Sequence, residues 1–501
     1  GAGGEGLYKR IDPCTSCPMR QDSRFRNLSP LDHRYYLANT DLFEALADYL
    51  SEEAAVGQCV RVEAVLLQHL IRYLLADDPR RDEYLAAAQA LPETVVAADV
   101  YREEETTRHN VRAVVNVIQR HLPREITHLV HLGATSVDIL DTAAAIRYRD
   151  VIRTVVLPLL IRLQEELLRL VEAESDTVSI GRTHGQYAVP ITVGFALAEY
   201  LSRLGNSILE IETRVGALRG KLAGAVGAYN ATSVFHPDPE ELERAVLADL
   251  GLEAGEHATQ IVSPEPLLRL FLELNTAFGV IANLADDLRH LQRSEIGEFS
   301  EYFAEGQVGS STMPHKRNPW NAEHVKSLWK AYAPRSVTWF MDQISEHQRD
   351  LTNSASSRFL VEFIAGFVAA AERMRTILAR LRVDREGIAR NLEEGAKRVI
   401  AEPLYILLAA AGRGDAHELV RRITLTADAE GVPVIDVVRR DEALWKTISG
   451  TYRDLTGDDP EPFFTDPARY TGRAASRARQ IASNHRRILK EISRRLGGGA
   501  S

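Results

Sequence analysis

From Val151 to Glu174 the apolar residues Val155, Val156, Leu159, Leu160, Leu163, Leu167, Leu168 and Val171 recur at steps of three and four. That spacing lays one apolar stripe along an amphipathic helix. Pro158 stands near its beginning, where a proline is best tolerated. A second pattern of this kind runs from after Pro190 to about Arg219, through Leu197, Tyr200, Leu201, Leu204, Ile208, Ile211 and Val215. Others run from Pro266 to about Arg293, from Asn318-Pro319 past Tyr332, and from Phe359 to Leu381. Alternating strand patterns are scarce. Each stripe must bury against another helix, so the chain is expected to be all-α, built around a bundle of long helices. Breaks near Gly133 and Val383-Asp384 predict three helical domains, at 1–133, 134–382 and 383–501. Stripes this long exceed what one bundle covers, which predicts a homo-oligomer.

The bulk properties narrow the partners. Of 501 residues, 45% are hydrophobic and 26% charged, the balance of a water-soluble globular chain. A net charge of −10 gives nucleic acid or an anionic membrane no general attraction, so neither is expected as a partner. An anionic ligand would need a local cationic pocket. No run reaches the eighteen uninterrupted apolar residues of a membrane span, and Gly1–Arg10 lacks the apolar core of a signal sequence. Three cysteines fit a reducing, cytoplasmic setting. Cys14 and Cys17 form a single C-x2-C pair, half of what a structural zinc requires, so no metal site is expected.

Three segments concentrate chemistry. Gly309-Ser310-Ser311-Thr312-Met313-Pro314-His315-Lys316-Arg317-Asn318-Pro319 packs hydroxyls, an imidazole, two cations and a carboxamide into one glycine-flanked loop. A surface loop would use the same turn formers, but the density of donors and cations favours a segment that closes over a ligand. Ser179–Pro190 carries Thr183, His184 and Gln186 just before a helix. A lone histidine there reads as a capping or buried residue, or as a proton donor near neutral pH. His131–Asp138 carries Thr135 and Ser136, suited to cap the next helix and to leave its N–H groups for an anion.

Together these segments resemble the three signature regions of the fumarase/aspartase superfamily, and the resemblance runs from about residue 27 to 420. It implies a fumarase/aspartase-like homotetramer whose active sites draw on three subunits. It also implies elimination of fumarate by acid–base catalysis, with no metal or organic cofactor. Ser310 matches the superfamily's carbon base. Lys316 and Asn318 match the groups that hold the succinyl carboxylate. His184 matches the acid that protonates the leaving nitrogen, Thr183 and Gln186 match residues that orient it or bind the substrate, and Glu323 matches the carboxylate that keeps this histidine protonated. Removing the proton leaves a carbanion resonance-stabilised as an aci-carboxylate, which fixed cations and amides stabilise.

Weaker segments resemble the branch of the superfamily that acts on a succinylated purine nucleotide. Ser29-Pro30-Leu31-Asp32-His33-Arg34-Tyr35 matches its S-P-x-D-x-R-Y, with Arg34 and Tyr35 in the nucleotide pocket. Thr107–Val111, with Arg108 and His109, matches T-R-H-D-V, except that Asn110 replaces the aspartate and removes a charge. His131 matches a histidine near the nucleotide, Thr135 and Ser136 a carboxylate site, and Gln260 a substrate-binding glutamine. Arg349, Ser354 and Arg358 match a phosphate site, for which guanidinium forks are well shaped. The alternatives are a carboxymuconate cycloisomerase or another specialised lyase on the same scaffold, or a catalytically silent structural relative.

Overall fold

The computed structural model describes residues 26–303, 312–313 and 315–498. Cys14, Cys17, Ser310 and Ser311 lie outside the described residues. The chain is mostly helical, and each of the five expected long helices is present: Leu157–Ala173, Val193–Gly216, Glu265–Leu291, Trp320–Tyr332 and Leu360–Ala379. In that order each packs on the next, and the last returns to the first, closing a ring around one core. Phe271, Phe278, Phe363 and Phe367 interlock at its centre, with Phe278 and Phe367 centroids 5.4 Å apart. Burial of such aromatic rings supplies much of the drive for association of the helices.

The first of these helices does not begin where its stripe begins. It continues a helix, Ser136–Val151, through one π-helical turn at Ile152–Val156. Pro158 therefore sits inside a continuous rod. Its ring cannot donate to the preceding turn, and a widened turn accommodates a proline with less loss than a strict α-helix would. Small residues let the rods approach. A Cβ on Gly194 would meet the Ser175 backbone at 2.7 Å, and one on Gly205 would overlap the His485 ring. That ring belongs to the last helix, Ala474–Gly498, which packs along Val193–Gly216 and Leu157–Ala173. A separate core of Leu404, Leu408, Val434, Val438, Ile448 and Phe464 forms between these bundle contacts in the sequence.

Two stretches, 40–74 and Glu265–Leu291, are long and apolar enough to cross a membrane by length and composition. The first is interrupted at Ser51, whose hydroxyl accepts the Ala54 N–H at 3.1 Å and starts the helix Glu52–Leu74. Both stretches contribute Leu66, Leu67, Leu70, Phe271 and Phe278 to the buried core.

Between the first two bundle helices the chain leaves the helical pattern. Residues 178–192 form an antiparallel hairpin, Val178–Thr183 against Gln186–Thr192, just before the second bundle helix. Val193–Gly216 then starts at Thr192, whose hydroxyl accepts the Phe195 N–H at 3.2 Å.

Candidate active site

His184 and Gly185 form the two-residue turn of this hairpin, with φ of 54° and 74°. Two consecutive left-handed residues match the right-handed twist of the flanking strands, which explains the glycine. His184 is thus exposed at a tip, flanked by Thr183 and Gln186, and its ring makes no hydrogen bond among the described residues. The strand ends beside this turn are braced. Arg182 forks onto Glu298 at 3.0 and 2.6 Å, and Asn391 Nδ2 donates to the same carboxylate at 2.8 Å. The Arg182 guanidinium also lies 5.3 Å from the centre of the Tyr187 ring. The larger Tyr187 is therefore part of the hairpin's support.

Three residues beyond Glu298, the buried Glu301 organises the far end of the signature loop. It accepts the Ala322 N–H at 2.7 Å and Asn321 Nδ2 at 2.8 Å, capping the helix Trp320–Tyr332. Burial pushes its pKa up, against these hydrogen bonds and the charge of Arg373. Gln292 Nε2 donates to the Arg317 carbonyl at 3.1 Å, so the segment holding Lys316 and Asn318 is pinned to the bundle. Lys316 and Glu323 are exposed. Across this helix end, the Tyr35 hydroxyl and His324 Nε2 lie 2.8 Å apart. Burial first, then the charges of Arg373 and Arg34, hold His324 below its usual pKa. Arg34, Tyr35 and Arg373 thus gather around His324 in one cationic region.

A second group surrounds the start of Ser136–Val151. Thr135 and Asp138 form a reciprocal capping box, in which Asp138 accepts the Thr135 N–H at 2.8 Å. Asp138 is itself ion-paired with the fully buried Lys221, whose backbone N–H donates to Thr142 Oγ1 at 3.0 Å. His131 faces Glu63, with Nδ1 and Oε1 2.6 Å apart. Nearby, Arg108 is the left-handed residue ending Ala97–Thr107, with φ of 54°. His109 Nδ1 accepts the Arg112 N–H at 3.2 Å, which requires the Nε2–H tautomer when the ring is neutral. Asn110 accepts the Val111 N–H at 2.8 Å, a bond that an aspartate would also make.

A third group lines a cavity of about 130 Å³ bounded by Asp141, Tyr148, Ile261, Asp342, Arg349 and Asn353. The Gln260 N–H donates to the Gln348 carbonyl at 3.2 Å, joining the Gln260 loop to the Arg349 segment. Arg349 Nε is buried without a hydrogen-bond partner among the described residues, a donor left for a ligand. Burial pushes Asp141 up to about 6, opposed by the Val262 N–H and by the charges of Lys221 and Arg349. Asp350 ties the loop together by accepting from Thr352 and the Glu346 N–H. Ser354 closes a turn onto Leu351 at 3.1 Å, and Arg358 acts on Tyr101 rather than on Asp141.

Sequence reasoning missed Glu63, Asp141, Glu298, Glu301 and Arg373. Glu63 and Asp141 had a signal: a carboxylate within an otherwise apolar helical stripe, as in Val60-Arg61-Val62-Glu63-Ala64-Val65-Leu66. Glu298 and Arg373 had none, because their partners lie far away in the sequence.

The arrangement presents an exposed histidine on a braced hairpin, a helix N-terminus with hydroxyls, and two cationic regions. The sequence family described as "Lyase" matches residues 34–330, and "Adenylosuccinate lyase C-terminal" matches residues 345–459. The structure of the 3-carboxy-cis,cis-muconate lactonizing enzyme from Pseudomonas putida is similar, with a TM-score of 0.74 and 26% identity over 89% of this chain and 97% of that one. Fold and family match together define a lyase of the fumarase/aspartase superfamily. The adenylosuccinate lyase of Pyrococcus abyssi is 34% identical over 93% of this chain and 99% of its own length. That of Pyrococcus horikoshii is 33% identical over the same shares. The chain belongs to the adenylosuccinate lyase family.

Proposed function

We propose that this protein eliminates fumarate from adenylosuccinate to give AMP, and from the succinylated aminoimidazole carboxamide ribotide, in purine nucleotide biosynthesis. The observation that carries this reading is likeness to adenylosuccinate lyases along almost the whole chain, at 34% identity. The carboxymuconate alternative rests on a 26% identical fold neighbour, and that reaction has no use for a phosphate site.

In this mechanism Ser310 takes the proton from the carbon beta to the leaving nitrogen. A serine hydroxyl is too weak an acid to ionise unaided at pH 7, so its alkoxide needs donors, which Lys316 and loop N–H groups supply. The carbanion spreads onto the succinyl carboxylate, held by Lys316, Asn318, Thr135 and Ser136. His184 gives its proton to the nitrogen as the C–N bond breaks, with Glu323 keeping it charged. Arg349, Ser354 and Arg358 hold the phosphate, Gln260 binds the substrate, and Arg34, Tyr35, Arg108, His109, Asn110 and His131 hold the nucleotide.

The resemblance to the fumarase/aspartase superfamily supports a homotetramer in which His184 and Ser310 of different copies meet to complete one site. The enzyme works in the cytoplasm without metal, organic cofactor, nucleic acid or membrane, on three helical domains divided near 133 and 383. Fumarate release is followed by absorbance in parallel on adenylosuccinate, argininosuccinate and carboxymuconate. Turnover of the first alone supports the assignment, and turnover of either of the others in its place overturns it.

A further inference from the structure

Glu63 is hard to explain as a packing residue. It sits in the helix Glu52–Leu74 with its side chain 0% exposed, between Val60, Val62, Ala64, Leu66 and Leu67. One carboxylate oxygen contacts His131 Nδ1 at 2.6 Å, and the other is buried with no hydrogen-bond partner among the described residues. Burying a carboxylate for a single hydrogen bond is costly unless the partner carries a positive charge. His131 pays a second cost. It lies in the left-handed region at φ of 64°, where a side chain other than glycine is strained. The turn continues through Gly133 at φ of 82°, packed so closely on Thr232 and Phe235 that a Cβ would lie 2.9 Å from the Thr232 hydroxyl. An orphaned buried oxygen and a strained backbone thus coincide four residues before Thr135, at the mouth of the helix Ser136–Val151.

We propose that Glu63 is a positioning residue that holds His131 as an imidazolium, so that its Nε2–H binds an anionic oxygen of the substrate, a phosphate or a carboxylate. Nδ1 is committed to Glu63, and Nε2 has no hydrogen-bond partner among the described residues. The ring is 23% exposed, enough to meet a ligand on that side. The charged groups acting on it come from three helices. Burial pulls its pKa down, while the hydrogen bond and charge of Glu63 and the charge of Asp138 push it up against Arg112, and the net direction is up. The charge on His131 is therefore present below the raised value and lost as pH rises through it. Binding of the anion should weaken along the same limb.

The inference rests on the adenylosuccinate reading for its ligands, and its test is separable from that reading. Binding of AMP and of fumarate to the full chain is measured by calorimetry across neutral and alkaline pH, for the wild type, Glu63→Gln, Glu63→Asp and His131→Gln. Loss of affinity on the alkaline side for AMP identifies the phosphate as partner, and for fumarate the carboxylate. In Glu63→Gln that limb should move down by about one pH unit or more, and Glu63→Asp should restore part of it. His131→Gln should abolish the limb. A Glu63→Gln protein that keeps the wild-type limb, or that loses affinity equally at every pH, overturns the proposal. If Glu63→Gln does not fold, a His131→Gln protein that retains the limb overturns it instead. A wild type that binds AMP with this limb but releases no fumarate from adenylosuccinate would sink the substrate assignment and leave the His131 pairing standing.

Discussion

Arg182 grips Glu298 with both terminal guanidinium nitrogens, at 3.0 and 2.6 Å, across 116 residues of sequence. The pair joins the turn end of the hairpin, two residues from His184, to the strand residues Phe299 and Ser300, which lead toward the signature loop. Two elements that carry proposed catalytic groups are thereby anchored to one buried carboxylate.

Breaking that anchor should be costly. Glu298 is 4% exposed and Arg182 17%, so removing one partner leaves the other charge desolvated. Glu298→Ala is expected to lower stability by about 3–5 kcal/mol, read by chemical unfolding. A double-mutant cycle with Arg182→Ala should show strong coupling, and additive losses would mean the pair contributes little.

Exposure of His184 makes the opposite prediction for folding. His184→Ala should leave the unfolding midpoint near wild type and reduce turnover by roughly 10²–10⁴-fold. Ser310→Ala should do the same to turnover. Mixing the two inactive proteins under conditions that exchange subunits should regain activity, because some sites then receive both intact residues. No recovery after verified exchange would argue against shared sites.

Arg349 offers, beside the Gln260 loop, a buried Nε with no hydrogen-bond partner among the described residues. Arg349→Ala should raise KM for adenylosuccinate about tenfold or more while changing kcat less, as expected for loss of a charge-assisted phosphate contact. The succinylated nucleoside lacking phosphate should bind the wild type and the variant alike. Equal wild-type affinity for nucleotide and nucleoside would contradict the phosphate role.

Asp141 predicts a pH dependence of stability. Its pKa rises from 3.8 in an unfolded chain to about 6 in the fold, mainly through burial. Between these values the folded state binds more protons than the unfolded one, so this residue's contribution to stability falls as pH rises through that window. Above about 6 the ionised carboxylate is a standing cost. Asp141→Asn can still accept from Val262 and should stabilise the protein at pH 8 but not at pH 4. Parallel unfolding curves for both proteins at the two pH values check the sign.

Helix packing gives a further test. Gly205 lies against the ring of His485, and a methyl group there would overlap it. Gly205→Ala should destabilise by about 1–3 kcal/mol, despite alanine's better helix propensity. Calorimetric melting shows which effect dominates.

The long helices could be read from the chain because an apolar residue every three or four positions is a local signal. The hairpin could not be read so directly. Its strands are short, and its strongest mark is the turn at His184-Gly185, where a histidine and a glycine just before a helix fit a cap as well as a hairpin. Helix caps at Thr135 and Thr192 were of intermediate difficulty: residue type suggested the first, and geometry was needed to show Asp138 and Lys221 behind it.

One-dimensional pattern and motif were enough to specify the helical class and the superfamily chemistry, since both depend on residue types at short, regular separations. Which groups share a neighbourhood was settled by folding. His131 meets Glu63 across 68 residues, Lys221 meets Asp138 across 83, and Arg495 of the last helix reaches Glu212 across 283. Such pairings depend on how rigid rods cross and on which charges burial forces together, and neither quantity is written in any short stretch of the chain.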